Sequence, residues 1–111
     1  MTTSNVLVAE WHAKQTDETN HVRDLLREHF EQADAYRYNS AAIRVRVVDD
    51  KFKGVEWEDR DDLVEPILSQ LDESTQADIL NLVLLYPDEE KTSVRSQMAN
   101  LEFDHPSRSM L

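Results

Sequence analysis

The feature that most limits the possible folds is the strict alternation of aliphatic and arginine side chains in the sequence IRVRV of residues 43–47. Successive side chains of a strand point to opposite faces of a sheet, so this pattern predicts a strand with one apolar face and one cationic face. A slip of one residue in the pairing would bury both arginines, and this fixes the register. We therefore expect a strand over residues 42–49 with Ile43, Val45 and Val47 in the core.

The preceding segment, YRY at residues 36–38, also alternates, and Asn39-Ser40 offers a turn between the two segments. Alternation on both sides of a short polar turn is typical of an antiparallel hairpin. The sequence therefore predicts two paired strands, over residues 35–39 and 42–49.

Apolar residues recur at helical spacing in three other segments, which predicts helices over residues 20–33, 57–71 and 88–98. Thr19 and Asn20 are suitable caps for the first of these helices.

Pro66 interrupts the second predicted helix, because proline lacks a backbone donor and disrupts the preceding turn. We expect the helix over 57–71 to break near residue 62, where Asp62 and Glu65 resemble a capping box that restarts it. Residues 72–76 are predicted to form a polar link.

The nearly continuous apolar run at residues 78–86 predicts a third strand, which Pro87 ends. A helical connection between two strands of one sheet favours a right-handed crossover and a parallel pair. The expected fold is therefore α+β, in the order α-β-β-α-α-β plus a C-terminal helix, with helices on one face of a small three-stranded mixed sheet. We expect one domain over residues 19–98, between a weakly structured arm over 1–18 and a loose tail over 99–111.

The charge balance restricts the classes of partner. The 111 residues include 23 acidic and 12 basic residues, for a net charge of −11. A negative field of this size opposes phosphate backbones and anionic membranes, so generic nucleic-acid binding is disfavoured. The chain has no cysteine, no apolar run long enough to span a bilayer and no pattern of a signal peptide, and we expect a cytoplasmic protein.

An acidic loop follows the alternating strand, and its residues carry a resemblance to a known family. The matching features are a Phe-x-Gly in the loop, an arginine six residues after the glycine, an aliphatic residue on the next turn and the end of the third strand: Phe52, Gly54, Arg60, Val64 and Tyr86-Pro87. Together with the order of elements, these residues resemble the BolA-like proteins, which share the type II KH topology. The resemblance covers roughly residues 20–90 and implies the same fold.

The chain departs from the family pattern at the positions that carry its chemistry. Asp61 stands where the family has a histidine, residues 78–86 contain no histidine, and residues 39–42 replace a Gly-Ser-rich segment. In BolA-like proteins those histidines take part in iron–sulfur ligation shared with monothiol glutaredoxins. The resemblance therefore implies the fold without that chemistry, because function depends on the site and not on the fold.

The predicted contact surface is the open face of the sheet, with the loop from Phe52 to Arg60 at its rim. Its residues are the aromatic and arginine side chains of the two hairpin strands: Tyr36, Arg37, Tyr38, Arg44 and Arg46. We expect this surface to bind a protein partner in a non-enzymatic adaptor or regulatory role.

Two alternatives stay open. Arginine and tyrosine side chains can stack on unpaired bases, which would make the chain a KH-like nucleic-acid-binding module. A second alternative is a diverged partner in iron–sulfur or redox handling, with Asp61 in place of the histidine.

The sequence predicts neither a metal site nor a catalytic site. The four histidines are scattered, and His21 and His29 are too far apart on a helix to share a metal ion. The acidic residues at 56–62 lack the order of ligands of a calcium loop. No phosphate-binding loop, nucleophile elbow or zinc-binding helix motif is present, so we expect no cofactor and no enzymatic activity.

Overall fold

The alternating segment forms the central strand of a three-stranded sheet. The structure is a computed structural model that describes residues 9–109. Its helices and strands are, in chain order, α1 (Asp17–Arg27), β1 (Gln32–Asn39), β2 (Ala42–Val48), α2 (Asp61–Leu68), α3 (Glu73–Asp78), β3 (Ile79–Leu85) and α4 (Val94–Asp104). Short 3₁₀ turns lie at Glu10–Lys14, Asp50–Phe52, Trp57–Asp59 and Glu89–Lys91. The predicted α+β class and order of elements are confirmed. None of the helices in residues 9–109 is long and apolar enough to cross a membrane.

The strands pair as the sequence predicts. β1 and β2 form an antiparallel hairpin, and β2 and β3 are parallel, in the spatial order β1-β2-β3. Tyr36 lies opposite Arg44 across the hairpin, and Val47 lies opposite Leu84 across the parallel pair. The register thus places the valines of β2 and its arginines on opposite faces of the sheet.

The first face of the sheet carries the main core. Ile43, Val45 and Val47 are all fully buried, as predicted. They pack with apolar residues of the other two strands, of α1 and α2, and of the loops between these elements: Val22, Leu26, Phe30, Ala33, Ala35, Phe52, Val64, Leu68, Leu71 and Leu84. Every second residue of β2 therefore contributes to this core, which is what selects its register.

The second face is not open, and the prediction of helices on one face alone was wrong. α4 lies across this face, where Phe103 packs with Trp11, Tyr36, Val83 and Leu85 in a second buried cluster. An amphipathic sheet with aromatic residues on its second face requires an apolar cover there, and α4 provides it.

The domain consequently extends further at both ends than the predicted range 19–98. Trp11, in the predicted arm, is almost fully buried, and the predicted loose tail from residue 99 continues α4 through Asp104. Residues 1–8 of the predicted arm fall outside the described residues.

Several helix boundaries differ from the predicted ones. α1 starts earlier than residue 20, because Thr16 and Thr19 form the capping box through reciprocal bonds. It ends at Arg27 and not at residue 33, and the backbone N–H of Phe30 then closes a turn on the carbonyl of Leu26. The chain therefore leaves the helical conformation before residue 31 and continues into β1.

The break in the second helix is present, but its predicted cap is absent. The helical turn at Trp57–Asp59 is separate from α2, which starts at Asp61 without a capping side chain. Asp61 and Asp62 occupy the first turn, where their charges favour the positive end of the helix dipole.

The predicted polar link at residues 72–76 is instead the start of α3. Asp72 caps this helix by accepting hydrogen bonds from the backbone N–H and the hydroxyl of Thr75. Hydrogen bonds from Ser74 and Thr75 lower the pKa of Asp72 from 3.8 to about 2. The cap is thus in its accepting, ionised form down to strongly acidic pH.

The loop after β2 depends on its glycine and its phenylalanine. Gly54 has φ +81°, a left-handed conformation that other residues resist, as the sequence predicts. Phe52 is fully buried and stacks against Phe30 at 5.8 Å between ring centroids. The phenylalanine anchors the loop in the core, and the glycine lets the chain turn toward α2.

Replacing Gly54 by alanine tests this conformational requirement. A Cβ atom at Gly54 would meet no other atom within 4 Å, so backbone strain alone should determine the effect. We expect Gly54→Ala to lower the free energy of unfolding by roughly 1 kcal/mol, measured by urea denaturation. Lys53→Ala is the matched control, because Lys53 has φ −67°. Equal stability of the two variants would contradict the requirement.

Candidate functional site

The predicted contact residues do not share one face. Tyr36, Tyr38, Arg44 and Arg46 lie on the second face of the sheet, beneath or beside α4. Arg37 lies on the opposite side, where its guanidinium contacts Glu18 of α1 and Asp78 of α3 at 2.8 Å each. The predicted surface of five residues is therefore corrected to four residues and a separate arginine.

Tyr36 is not available to a partner. Its side chain is fully buried, and its hydroxyl donates to the backbone carbonyl of Phe103 at 3.0 Å. Trp11 stacks on the Tyr36 ring at 5.7 Å, and Phe103 meets that ring edge-on at 4.9 Å. Burial raises the pKa of Tyr36, so the hydroxyl stays protonated and continues to donate. Tyr36 is a core residue of the second cluster.

The two arginines of β2 are occupied by α4. Arg44 bonds the carboxylate of Glu102 at 2.9 Å and stacks on the Tyr38 ring, with 3.8 Å from its Cζ atom to the centroid. Arg46 bonds Asp104 at 2.9 Å. Their side chains are only 15% and 13% exposed, respectively.

Arg46 has further partners on two elements. It bonds Asn100 of α4 at 2.8 Å and Asp34 of β1 at 3.3 Å, and its guanidinium lies 4.4 Å above the Phe103 ring. Trp11 donates its indole N–H to the same Asp104 oxygen that Arg46 contacts, at 3.0 Å. The cationic face thus meets an array of carboxylate, amide and aromatic groups supplied by its own chain.

The electrostatics favour the charged form of the pair between Arg44 and Glu102. Burial opposes the charge on Arg44, but its hydrogen bonds to Glu102 and Tyr36 outweigh it and raise the pKa of Arg44. A hydrogen bond from the backbone N–H of Ser107, together with Arg44, lowers the pKa of Glu102. Because the folded pKa of Glu102 lies below 4.5, its stabilising contribution is complete above that value. The contribution is lost as the pH falls through the folded-state pKa.

The arginine of the family motif has a structural position. Arg60 is buried and forms a two-pronged salt bridge with the buried Glu89, at 2.7 and 3.0 Å. Arg60 also donates to the backbone carbonyls of Val55 and Leu84, at 3.0 and 2.8 Å. A side chain on the loop before α2 thereby holds together that loop, the end of β3 and the turn that follows β3.

The backbone is strained at the residue just before Glu89, the second partner of this salt bridge. Asp88 has φ 68°, the left-handed conformation, immediately before the turn that carries Glu89. Glu89 also accepts from the backbone N–H of Tyr86 at 3.2 Å. These contacts offset the unfavourable backbone conformation of Asp88.

Asp61, which stands where the BolA-like proteins have a histidine, is exposed in the first turn of α2. It has no hydrogen bond or salt bridge among those observed in residues 9–109, where no group of histidine, cysteine or acidic side chains could hold a metal ion. A solvated residue that complements the helix dipole accounts for its position.

A surface that the sequence did not identify as a site lies on α4. Val94, Met98 and Leu101 are 71%, 64% and 60% exposed, while Ser96 and Phe103 on the other side of the helix are buried. At 100° per residue the three apolar side chains fall within an arc of about 60°. We call Val94, Met98 and Leu101 the outer stripe. Their helical spacing was visible in the sequence, but spacing alone does not show which side of a helix faces the core.

The outer stripe is unusual for a surface this polar. Complete burial of a side chain of this size contributes about 1.5–3 kcal/mol to the free energy of folding or binding. Three adjacent exposed side chains could therefore contribute favourably if another molecule covered them. Single exposed apolar residues are common on proteins, whereas a contiguous group points to a contact with another molecule.

Comparison with known proteins gives no further assignment. No family model, no curated protein and no solved structure matches this chain.

Removing Arg60 tests the structural role of the buried salt bridge. Arg60→Met leaves the Glu89 carboxylate buried without its partner, and we expect a loss of roughly 3 kcal/mol or more in the free energy of unfolding. Arg95→Met is the matched control. Like Arg60, Arg95 lies over the Trp57 ring, but its pair with Glu58 spans 3.6 Å and both side chains are mostly exposed.

Arg95→Met should lower the free energy of unfolding by about 1 kcal/mol or less, because exposed salt bridges contribute little to stability. Urea denaturation of both variants measures the difference. An Arg60→Met variant as stable as the Arg95→Met variant would show that the buried pair does not hold the loop.

Proposed function

We propose that this chain is a non-enzymatic interaction module with a BolA-like fold that docks a protein partner on the outer stripe of α4. The observation that carries the proposal is the exposure of Val94, Met98 and Leu101 together on one side of a helix whose other side is buried. Apolar side chains in such an arrangement are the anchors by which an amphipathic helix meets a protein surface. This surface replaces the sheet face, which the chain covers itself.

The BolA-like part of the proposal has support from topology and from the loop. The order of helices and strands and the antiparallel and parallel pairings agree with the fold that the resemblance implies. The three motif residues have defined structural positions as well: Phe52 is buried, Gly54 has a positive φ and Arg60 is in a buried salt bridge. These positions give physical reasons for the motif that do not involve iron–sulfur chemistry.

One cleft beside α4 has a lining that offers no catalytic arrangement. The cleft, of about 340 Å³, lies between the C-terminal half of α4 and the ends of β1 and β3. Four of its ten lining residues are acidic, and its one arginine, Arg46, is already paired with Asp34 and Asp104. No nucleophile in this lining is paired with a base, an arrangement that covalent catalysis requires.

Nucleic-acid binding has less support than protein binding. Phosphate groups would have to displace Glu102 from Arg44 and Asp104 from Arg46, and the field of eleven surplus negative charges opposes their approach. No observation on the described residues favours the iron–sulfur or redox alternative.

Partner capture with matched variants tests the proposal. Tagged wild-type protein should retain a protein partner from cells, and Met98→Asp should reduce recovery at least about tenfold, as expected for a central interface residue. Leu63→Asp is the control, because Leu63 is 40% exposed on α2, which packs on the first face of the sheet and not on the face that α4 covers. Circular dichroism verifies that both variants fold.

Nuclease treatment of a parallel sample separates the two classes of partner. We expect recovery to be insensitive to nuclease. Recovery that nuclease abolishes, or equal losses in Met98→Asp and Leu63→Asp, would contradict docking on the outer stripe.

A further inference from the structure

We infer that the partner on the outer stripe is a second copy of this chain, with the two α4 helices packed antiparallel. This inference rests on the proposed function, because it names the occupant of the same surface. A two-fold axis across α4 would bring its apolar residues together and set its charged residues against opposite charges.

The apolar residues match themselves under a two-fold axis. α4 has 11 residues, and Met98 lies between Val94 and Leu101 along the helix. An axis perpendicular to the helix near Met98 places each Met98 against the partner's Met98. It also places each Val94 against the partner's Leu101. A contact of this kind is closed and uses the same patch on both subunits.

The charges on one side of the outer stripe match under the same axis. Arg95 and Glu102 project about 20° apart around the helix, and both lie beside the stripe, separated by about 10 Å along the axis. In an antiparallel pair, that side of one helix meets the same side of the other with the direction reversed. Arg95 of each copy therefore approaches Glu102 of the other copy.

Both side chains reach the surface, and Glu102, which pairs with Arg44 at 2.9 Å within its own chain, would then lie between two arginines. Arg95 is 61% exposed and Glu102 is 43% exposed. Arg95 is held near the helix surface by the Trp57 ring, 4.3 Å from its Cζ atom. In a parallel pair, the flank that carries Arg95 and Glu102 in one copy would lie on the opposite side of the interface from the same flank of the other copy. These residues would then not meet, so only the antiparallel direction pairs Arg95 with Glu102.

The same charges select a second copy over a uniformly basic partner helix. A basic helix would fit the net charge of −11, but it would place a cation against Arg95 at one end of the outer stripe. A second α4 offers an acidic group at that end and a basic group at the other. Repulsion between the two acidic chains acts over longer distances, and salt screens it beyond about 10 Å at 0.1 M.

Two physical consequences follow. The helix contact is short, since 11 residues of helix span about 16 Å, so the dimer is weak and forms at high micromolar to millimolar concentration. Its affinity rises with salt, because salt screens the repulsion and strengthens apolar contact more than it weakens the two exposed ion pairs.

Single cysteine variants test the dimer and the direction of its helices. Because the chain has no native cysteine, any disulfide must form between the introduced residues. Under mild oxidation, the full-length variant Met98→Cys should form a disulfide-linked dimer. Val94→Cys alone and Leu101→Cys alone should not, because each residue lies about 10 Å along the axis from its equivalent, beyond disulfide reach. An equimolar mixture of Val94→Cys and Leu101→Cys should form the mixed disulfide.

Sedimentation of wild-type protein gives a readout without oxidation. We expect monomer at about 10 µM and mostly dimer at about 1 mM, with more dimer at 1 M than at 0.1 M salt. Met98→Asp should remain monomeric at every concentration, and Leu63→Asp should behave as the wild type.

Wild-type protein that is monomeric at 1 mM in both salts would overturn the inference. So would equal cross-linking of the three single variants, which indicates parallel pairing or random collision. A dimer of this affinity dissociates during capture from cells, so the capture experiment reports a different protein on the outer stripe and sedimentation reports the second copy. Failure of the dimer and failure of the proposed function are therefore distinguishable.

Discussion

The contact between α4 and the arginine face of the sheet determines most of what this surface can do. Arg44 and Arg46 would be a cationic patch on an open sheet, but Glu102 and Asp104 of the same chain neutralise them. Partly buried ion pairs add little net stability by themselves. Here they occur with the cluster of Trp11, Tyr36 and Phe103, whose burial supplies the larger favourable term. One helix thereby removes a nucleic-acid-like surface and presents a different, apolar one.

The sequence was sufficient for the parts of the fold that local rules control. Alternation in β2 gave its register, and the chemistry of Gly54 and Phe52 gave the conformation of the loop. The cover of the second face was missed because it depends on contacts distant in sequence: Trp11 to Asp104 is a separation of 93 residues. Arg37 shows a different error, since alternation with Tyr36 already places it on the other face of the sheet.

The candidate site was predictable to a smaller extent. Periodicity places Val94, Met98 and Leu101 on one side of a helix, but both sides of α4 carry apolar residues, and only packing shows that Phe103 faces inward. Arg60 was identified from a family resemblance, whereas its partner Glu89 follows no local signal, because the two residues are joined through the fold. Sites formed by distant segments need the tertiary structure.

Hydrogen exchange of the wild-type protein tests most directly whether α4 covers the arginine face. An isolated helix of 11 residues is marginal in water, so slow exchange in this segment requires docking on the sheet. We predict that amides in the second half of α4 exchange at least about a hundredfold more slowly than in an unfolded chain, approaching the protection of β2. Exchange of residues 98–104 at the unfolded rate would mean that Arg44 and Arg46 are open to solvent, and it would contradict the account.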